Sequence, residues 1–113
     1  FAMETAYHEA WHSLRHLNGS MENLRTGLYK TFSYLGGFGK LVADYVHGLY
    51  EEMAATRLTE KNYNSMGLGR IRGYPSLQPR LGMLERHVGE EKLVYNTAAD
   101  APLIAHAVLS TLA

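Results

Sequence analysis

Apolar residues recur at intervals of three or four positions along most of this chain, the spacing that places side chains on one side of an α-helix. The first such segment covers residues 2–17. Its apolar face consists of Met3, Ala6, Tyr7, Ala10, Trp11, Leu14 and Leu17. The Asn18-Gly19 pair that follows is typical of a helix end. We therefore predict an amphipathic helix over residues 2–17, with Trp11 as a core anchor.

Two more helices are predicted in the first half of the chain. One begins at Ser20, a residue type favoured at the N-cap, and ends at the Gly36-Gly37 pair. The next covers residues 40–58 and has the clearest apolar stripe after the first helix. This stripe is expected to be buried and consists of Leu41, Val42, Tyr45, Val46, Leu49, Tyr50 and Met53. The second helix is expected to serve in packing, and it leaves enough chain for the first and third helices to meet.

The second half of the chain is less regular. Residues 62–79 contain glycines and prolines among polar residues, which predicts a long irregular loop. A short helix over 77–87 and a short strand over 91–95 follow. Asp100 is expected to cap a final apolar helix that carries Pro102 in its first turn. The pattern as a whole predicts a mainly α fold, four or five helices around one core, with little or no β-sheet.

Composition narrows the class of protein. A chain of 113 residues, 46% of them hydrophobic, corresponds to one domain with a real core. The formal net charge is zero, so the chain has no excess of positive charge that would indicate nucleic-acid binding. There are no cysteines, so disulfides and cysteine-ligated zinc are excluded. No apolar run approaches the roughly 20 residues needed to span a bilayer, so no membrane partner is expected. Because the sequence begins at Phe1, we expect residues 1–113 to be a fragment or excised domain of a larger protein.

The first predicted helix contains His8-Glu9-Ala10-Trp11-His12, an H-E-x-x-H run. Residues four apart lie one above the other on a helix, so the imidazoles of His8 and His12 can converge on one divalent ion. Glu9 would lie beside that ion and accept a proton from the water that the metal activates. This pattern predicts His8 and His12 as Zn²⁺ ligands and Glu9 as the general base.

An alternative interpretation is that the histidines belong to an ordinary amphipathic helix. His16 continues the same spacing and could make the run a histidine-rich stripe. It lies about 12 Å along the helix axis from His8, so one ion cannot bind all three. In this alternative the chain is a non-catalytic helical interaction or structural module, and the motif is coincidental or a relic.

The motif resembles that of the zincin metallopeptidases. The residues after His12 lack the glycine and histidine that the metzincin branch requires. The gluzincin branch takes a third ligand from a glutamate on a later helix, often in an E-x-x-A-D or E-x-x-A-N setting. Residues 51–55, Glu-Glu-Met-Ala-Ala, look like this setting, with Ala55 where an Asp or Asn is expected. The resemblance makes Glu51 the first candidate for the third zinc ligand and Glu52 the second. Asp44 or His47 could substitute for the missing Asp or Asn side chain at position 55. His47, four residues before Glu51, could also steady it or bind metal, although a core-edge role is the default.

This resemblance carries a set of expectations about function. It implies a zinc-dependent metallopeptidase that hydrolyses peptide bonds in a peptide or protein substrate. The wording of the motif is most similar to small peptidase-like domains of phages and mobile elements, which implies a cytoplasmic or virion-associated location. The chain departs from the family because at most seven residues precede His8, where zincins usually carry a small β-sheet. The assignment as an enzyme therefore rests on two predicted helices.

Overall fold

The computed structural model describes residues 2–65 and 78–112, and these form six α-helices and two short 3₁₀ turns. The helices are α1 (Ala2–Leu17), α2 (Ser20–Thr31), α3 (Gly37–Ser65), α4 (Gln78–Val88), α5 (Glu90–Val94) and α6 (Ala101–Leu112). The 3₁₀ turns are Ser33–Leu35 and Ala98–Asp100. No strand occurs in these two ranges. The predicted mainly α fold is confirmed.

The turn between α1 and α2 forms where the sequence indicates it. Gly19 adopts a φ of 84°, a left-handed conformation that favours glycine. The side chain of Asn18 accepts the backbone N–H of Ser20 at 3.0 Å and so satisfies a free donor at the start of α2. Ser20 itself is not the cap. Its buried hydroxyl accepts the N–H of Asn96 at 3.0 Å and lies 3.3 Å from the carbonyl oxygen of Val94.

The third helix is longer at both ends than the pattern predicts. It starts directly after Gly36, whose φ of 64° ends the preceding 3₁₀ turn. Gly39 lies so close to that turn that a Cβ atom would collide with the carbonyl oxygen of Phe32. At the other end, Thr59 and Asn62 donate side-chain hydrogen bonds to the carbonyl oxygens four residues earlier. These polar residues therefore continue α3 instead of breaking it.

Two predictions for the second half of the chain are corrected. Residues 62–65 and 78–79, expected in the irregular loop, belong to α3 and α4, and the remainder of that loop lies outside the described residues. Residues 90–94 form the short helix α5 instead of a strand. Two glutamates in its first turn and Lys92 in its last complement the helix dipole, and bonds from other helices to its last carbonyl groups also oppose the strand preference of Val94 and Tyr95.

The core lies around α3, which contacts every other α-helix of the described ranges. Fully buried leucines come from α2, α3, α4 and α5, and α6 adds Ile104 and Val108. Each buried side chain of this size contributes roughly 1.5–3 kcal/mol relative to exposure. Trp11 of α1 is partly buried and packs against this core, as predicted. Packing on this common core holds α1 and α2 along the first half of α3.

Candidate metal centre

Three potential metal ligands meet where α1 packs against α3. His8 Nε2 lies 3.1 Å from one carboxylate oxygen of Glu52, and His12 Nε2 lies 3.1 Å from the other. The two Nε2 atoms are 3.0 Å apart. The imidazole rings meet edge to face, with centroids 4.6 Å apart. His8, His12 and Glu52 thus form one cluster, which we call the surface cluster.

Helix geometry explains how these residues meet. His8 and His12 are one turn apart on α1, so their side chains project from the same face. That face lies against α3, the main packing partner of α1 among the described helices. Glu52 occupies the matching level of α3 and reaches both imidazoles. The predicted convergence of the two histidines is therefore present in the folded chain.

The separations within the surface cluster suit a small divalent ion. Zinc bonds of about 2.0–2.1 Å in tetrahedral geometry separate neighbouring ligand atoms by about 3.3 Å. The two nitrogens are 3.0 Å apart, and each lies 3.1 Å from a different oxygen of the Glu52 carboxylate, so each of these pairs has a separation close to this value. The side chains of His8 and His12 are 23% and 18% exposed, whereas that of Glu52 is 67% exposed. The cluster is therefore open to water on one side, as a site with a free coordination position requires.

Glu51, the first candidate for the third ligand, does not join this cluster. Its carboxylate is buried and accepts a hydrogen bond from Arg15 Nε–H. The Nε atom lies 2.7 Å from Oε2 and 3.0 Å from Oε1 of Glu51. Consecutive residues on a helix point about 100° apart, so Glu51 and Glu52 must face different neighbours. The rotation of α3 against α1 directs Glu51 inward and Glu52 toward the histidines. This geometry reverses the predicted order of the two glutamates.

Arg15 organises a buried polar cluster next to the surface cluster. Its guanidinium donates to the carbonyl oxygen of Leu93 at 2.7 Å and to the side-chain oxygen of Asn96 at 2.5 Å, in addition to Glu51. It also lies 5.3 Å from the ring centroid of Tyr50. Burial raises the pKa of the Tyr50 hydroxyl well above its ordinary value, and that hydroxyl donates to the carbonyl oxygen of Lys92. These bonds tie α1, α3 and α5 together. We call Arg15, Glu51, Tyr50 and Asn96 the buried cluster.

Arg15 was not among the predicted site residues, although the sequence contains a signal for it. Arg15 follows His8 by seven residues and His12 by three, so all three project from one face of α1. If this face packs against the helix that carries Glu51 and Glu52, the Arg15 guanidinium is expected to form an ion pair with one of these two glutamates. The remaining glutamate is then left for the histidines.

The other candidate residues are not members of the surface cluster. Glu9 is exposed and makes no hydrogen bond or ion pair with another described residue. His47 is buried, and its Nε2–H donates to the carbonyl oxygen of Met21 at 3.0 Å, which agrees with the core-edge role. Asp44 accepts the Tyr29 hydroxyl at 2.6 Å. His16 is exposed on α1. Neither His47 nor Asp44 steadies Glu51, because Arg15 does so.

An open groove of about 370 Å³ adjoins the surface cluster on the side of His12. Its lining includes Ser13, His16 and Leu17 of α1, together with Met21 of α2. Leu17 and Met21 make this lining largely apolar, and Ser13 and His16 add polar groups. A ligand bound in the groove would have the His12 imidazole within its reach.

Comparison with known proteins adds no relative to this picture. No family model, curated protein or solved structure matches the chain. Within the described ranges, no helix combines the length and apolar character of a membrane span.

Proposed function

We propose that this chain binds one zinc ion through His8, His12 and Glu52 and hydrolyses peptide bonds with it. The observation that carries the proposal is the meeting of two imidazole nitrogens, 3.0 Å apart, with one carboxylate, each oxygen of which lies 3.1 Å from one of the nitrogens. Two histidines and one carboxylate are a donor set that zinc accepts in catalytic sites, with a fourth position left for water or substrate. Magnesium and calcium prefer all-oxygen sites, so the imidazoles favour zinc over these ions.

Zinc in such a site lowers the pKa of a bound water to near neutrality and polarises a carbonyl group. The protein must then supply a base for the proton and a surface for the substrate. Glu9 is our candidate base because it follows His8 directly, is exposed, and is not engaged by another described side chain. A carboxylate with no ion-pair partner is free to accept the water proton and to return it to the leaving amine.

The groove beside His12 is the candidate substrate surface. Leu17 and Met21 would contact an apolar side chain, and the polar groups of Ser13 and His16 would contact the adjacent peptide backbone. A peptide bound there would lie next to the zinc ligand His12. We therefore propose a peptide or protein substrate with an apolar residue near the cleaved bond.

Metal analysis tests the zinc site. Protein purified without a metal-chelating column should contain about one zinc per chain, as a single site of this type requires. The double variant His8→Ala, His12→Ala should lose the zinc. A matched control, His87→Ala with His106→Ala, removes two exposed histidines on α4 and α6 and should retain it. Absence of zinc from the wild type after incubation with excess metal would contradict the proposal.

Hydrolysis is tested separately, with a mixed peptide library and the Glu9→Gln variant. The variant should retain zinc and lose turnover by about 10²–10⁴-fold, the usual contribution of a general base. Full zinc occupancy with unchanged turnover in Glu9→Gln would reject Glu9 as the base. Full occupancy with no turnover in the wild type would reject the peptidase and leave a metal-binding domain.

A second candidate is a non-catalytic helical interaction module. The observation that favours it is the number of large apolar side chains that the described surface exposes, among them Leu17, Tyr34 and Leu41. In this case the surface cluster would act as a hydrogen-bonded group of polar residues. The zinc content of the wild type and of the two double histidine variants distinguishes the two candidates. An interaction module would contain no stoichiometric zinc in any of these three proteins.

A further inference from the structure

The first half of α3 presents an apolar stripe to solvent. Phe38, Leu41 and Tyr45 are 64%, 67% and 53% exposed. They follow one another at spacings of three and four residues, which places them on one face of the helix. Gly48 continues this spacing and is also exposed. We call these four residues the α3 stripe.

The prediction that Leu41 and Tyr45 belong to the buried side of this helix is wrong, and the core of the protein does not account for the α3 stripe. Ala43, Val46 and Tyr50 form the buried side of α3, on the face away from it. A helix that is buried on one side usually carries polar residues on the other. Tyr34, in the 3₁₀ turn just before α3, adds another large exposed ring. Apolar residues that are grouped in this way mark a surface that binds a partner.

We infer that the α3 stripe pairs with the α3 stripe of a second copy of this chain, antiparallel and about a two-fold axis. The spacing of its residues is that of a coiled-coil seam, with alternating steps of three and four. Centring the axis near Ala43 places Leu41 of each copy opposite Tyr45 of the other. The same register places Phe38 opposite Gly48. The pairing is self-complementary, as a two-fold interface requires.

Gly48 fits this arrangement because it leaves room for the opposing ring. A Cβ atom built at Gly48 would meet nothing within 4 Å. The α3 stripe thus offers a large residue at one end and a notch at the other, separated by 10 residues of sequence or about 15 Å of helix. Antiparallel pairing therefore places Phe38 of each copy against Gly48 of the other, once at each end of the interface.

The area involved is sufficient for a reversible dimer. Large aromatic residues bury roughly 150–250 Å² each, so the stripe with Tyr34 offers on the order of 500 Å² per copy. Two copies would bury about 1,000 Å², the lower limit for a specific interface. The formal net charge of zero removes long-range repulsion between copies. Glu52 follows Gly48 by four residues on the same face of α3, so the surface cluster lies at the edge of this interface.

Sedimentation velocity over a concentration series tests the inference. The wild type should change from monomer to dimer between about 1 µM and about 1 mM, the affinity range of small interfaces. Leu41→Asp should weaken the dimer by at least about tenfold because it places a charge in the centre of the seam. The matched control Leu109→Asp, on the exposed side of α6, should leave the dimer unchanged.

Gly48→Leu tests the register without damage to the monomer. Leucine has a higher helix propensity than glycine and has free space at this position, so the monomer should become more stable. The dimer should nevertheless weaken by at least about tenfold, because the notch for Phe38 is filled. A wild type that stays monomeric throughout the series overturns the inference. So does a dimer that either Leu41→Asp or Gly48→Leu leaves intact, or that Leu109→Asp weakens as much as Leu41→Asp does.

Discussion

The surface cluster and the buried cluster lie side by side between the same two helices, yet their chemistry differs. Glu51 and Glu52 are consecutive glutamates, and each meets a basic side chain of α1. Glu51 is buried against Arg15, and every donor around it is satisfied by protein groups. Glu52 is exposed and meets two histidines that can release their contacts for a metal. Burial, and not residue type, separates a structural carboxylate from a candidate ligand.

The comparison also suggests how the two clusters cooperate. Arg15 is the last of the three residues on the α1 face that meets α3, one turn after His12. Its bonds to Glu51, Leu93 and Asn96 set the position of α1 along α3 and α5. The buried cluster therefore positions the histidines opposite Glu52. Zinc binding should depend on Arg15 through this geometry.

The largest effect is expected from Arg15→Met, which removes one partner of the buried ion pair. Glu51 would be left as an uncompensated buried carboxylate, and the free energy of unfolding should fall by about 3–5 kcal/mol. Urea denaturation measures this loss. The double variant Arg15→Met, Glu51→Leu should recover part of it, because no unpaired charge then remains. A loss below about 1 kcal/mol for Arg15→Met would mean that the buried cluster contributes little.

The next largest effect is expected when each of the two glutamates is replaced on its own. Glu52→Gln should reduce zinc affinity by at least about tenfold and leave the free energy of unfolding of the metal-free protein within about 0.5 kcal/mol of wild type. Glu51→Gln should do the reverse: it should destabilise the fold and leave the zinc affinity of the folded protein nearly unchanged, because Arg15 keeps its bonds to Leu93 and Asn96, which hold α1 in place. Isothermal titration with zinc and urea denaturation measure the two quantities. If Glu51→Gln lost zinc and Glu52→Gln did not, our assignment of the third ligand would be wrong.

Gly27 in α2 is closely packed, whereas Gly48 in α3 has open space around it, so alanine should affect stability differently at the two positions. Gly27→Ala should destabilise the protein by about 1–3 kcal/mol, because its Cβ would collide with the carbonyl oxygen of Ala98 and the side chain of Ala101. Gly48→Ala has open space around it and should stabilise the helix by about 0.5–1 kcal/mol. Thermal melts at low protein concentration measure both. Equal effects of the two variants would contradict the close packing of Gly27 against the Ala98–Asp100 turn and the start of α6.

Asp100 is a third carboxylate and represents an intermediate case. Burial alone would raise its pKa, but the Thr97 N–H at 2.8 Å and the Lys92 ammonium at 3.0 Å outweigh burial and hold that pKa below its ordinary value. A lowered folded-state pKa stabilises the protein above the unfolded value of about 4, and this stabilisation is lost as pH falls through the folded value.

Asp100→Asn should therefore cost about 1 kcal/mol near neutral pH, the usual value of a helix-end carboxylate. The difference from wild type should shrink as the pH falls below about 4. Urea denaturation at several pH values measures it. A difference that is constant across the acid range would show that the charge of Asp100 does not matter.

Local signals in the sequence determined much of the fold and part of the candidate site. Apolar periodicity and the turn at Asn18-Gly19 located α1, and the spacing of four residues placed His8 and His12 on one face. Each of these features depends on neighbours within about one helical turn, so the sequence carries them directly. The same spacing places Phe38, Leu41 and Tyr45 together on α3.

Tertiary structure decided which partner each side chain meets. The choice between Glu51 and Glu52 depends on the rotation of α3 about its own axis, and a rotation of about 100° would exchange them. Packing across three helices sets that rotation, and the bonds of Arg15 to groups more than 35 residues away hold it. Residues 90–94 are helical although their apolar pattern favours a strand, and the buried cluster takes up their last carbonyl groups. Contacts between residues distant in sequence have no periodic signature, so only the folded chain reveals them.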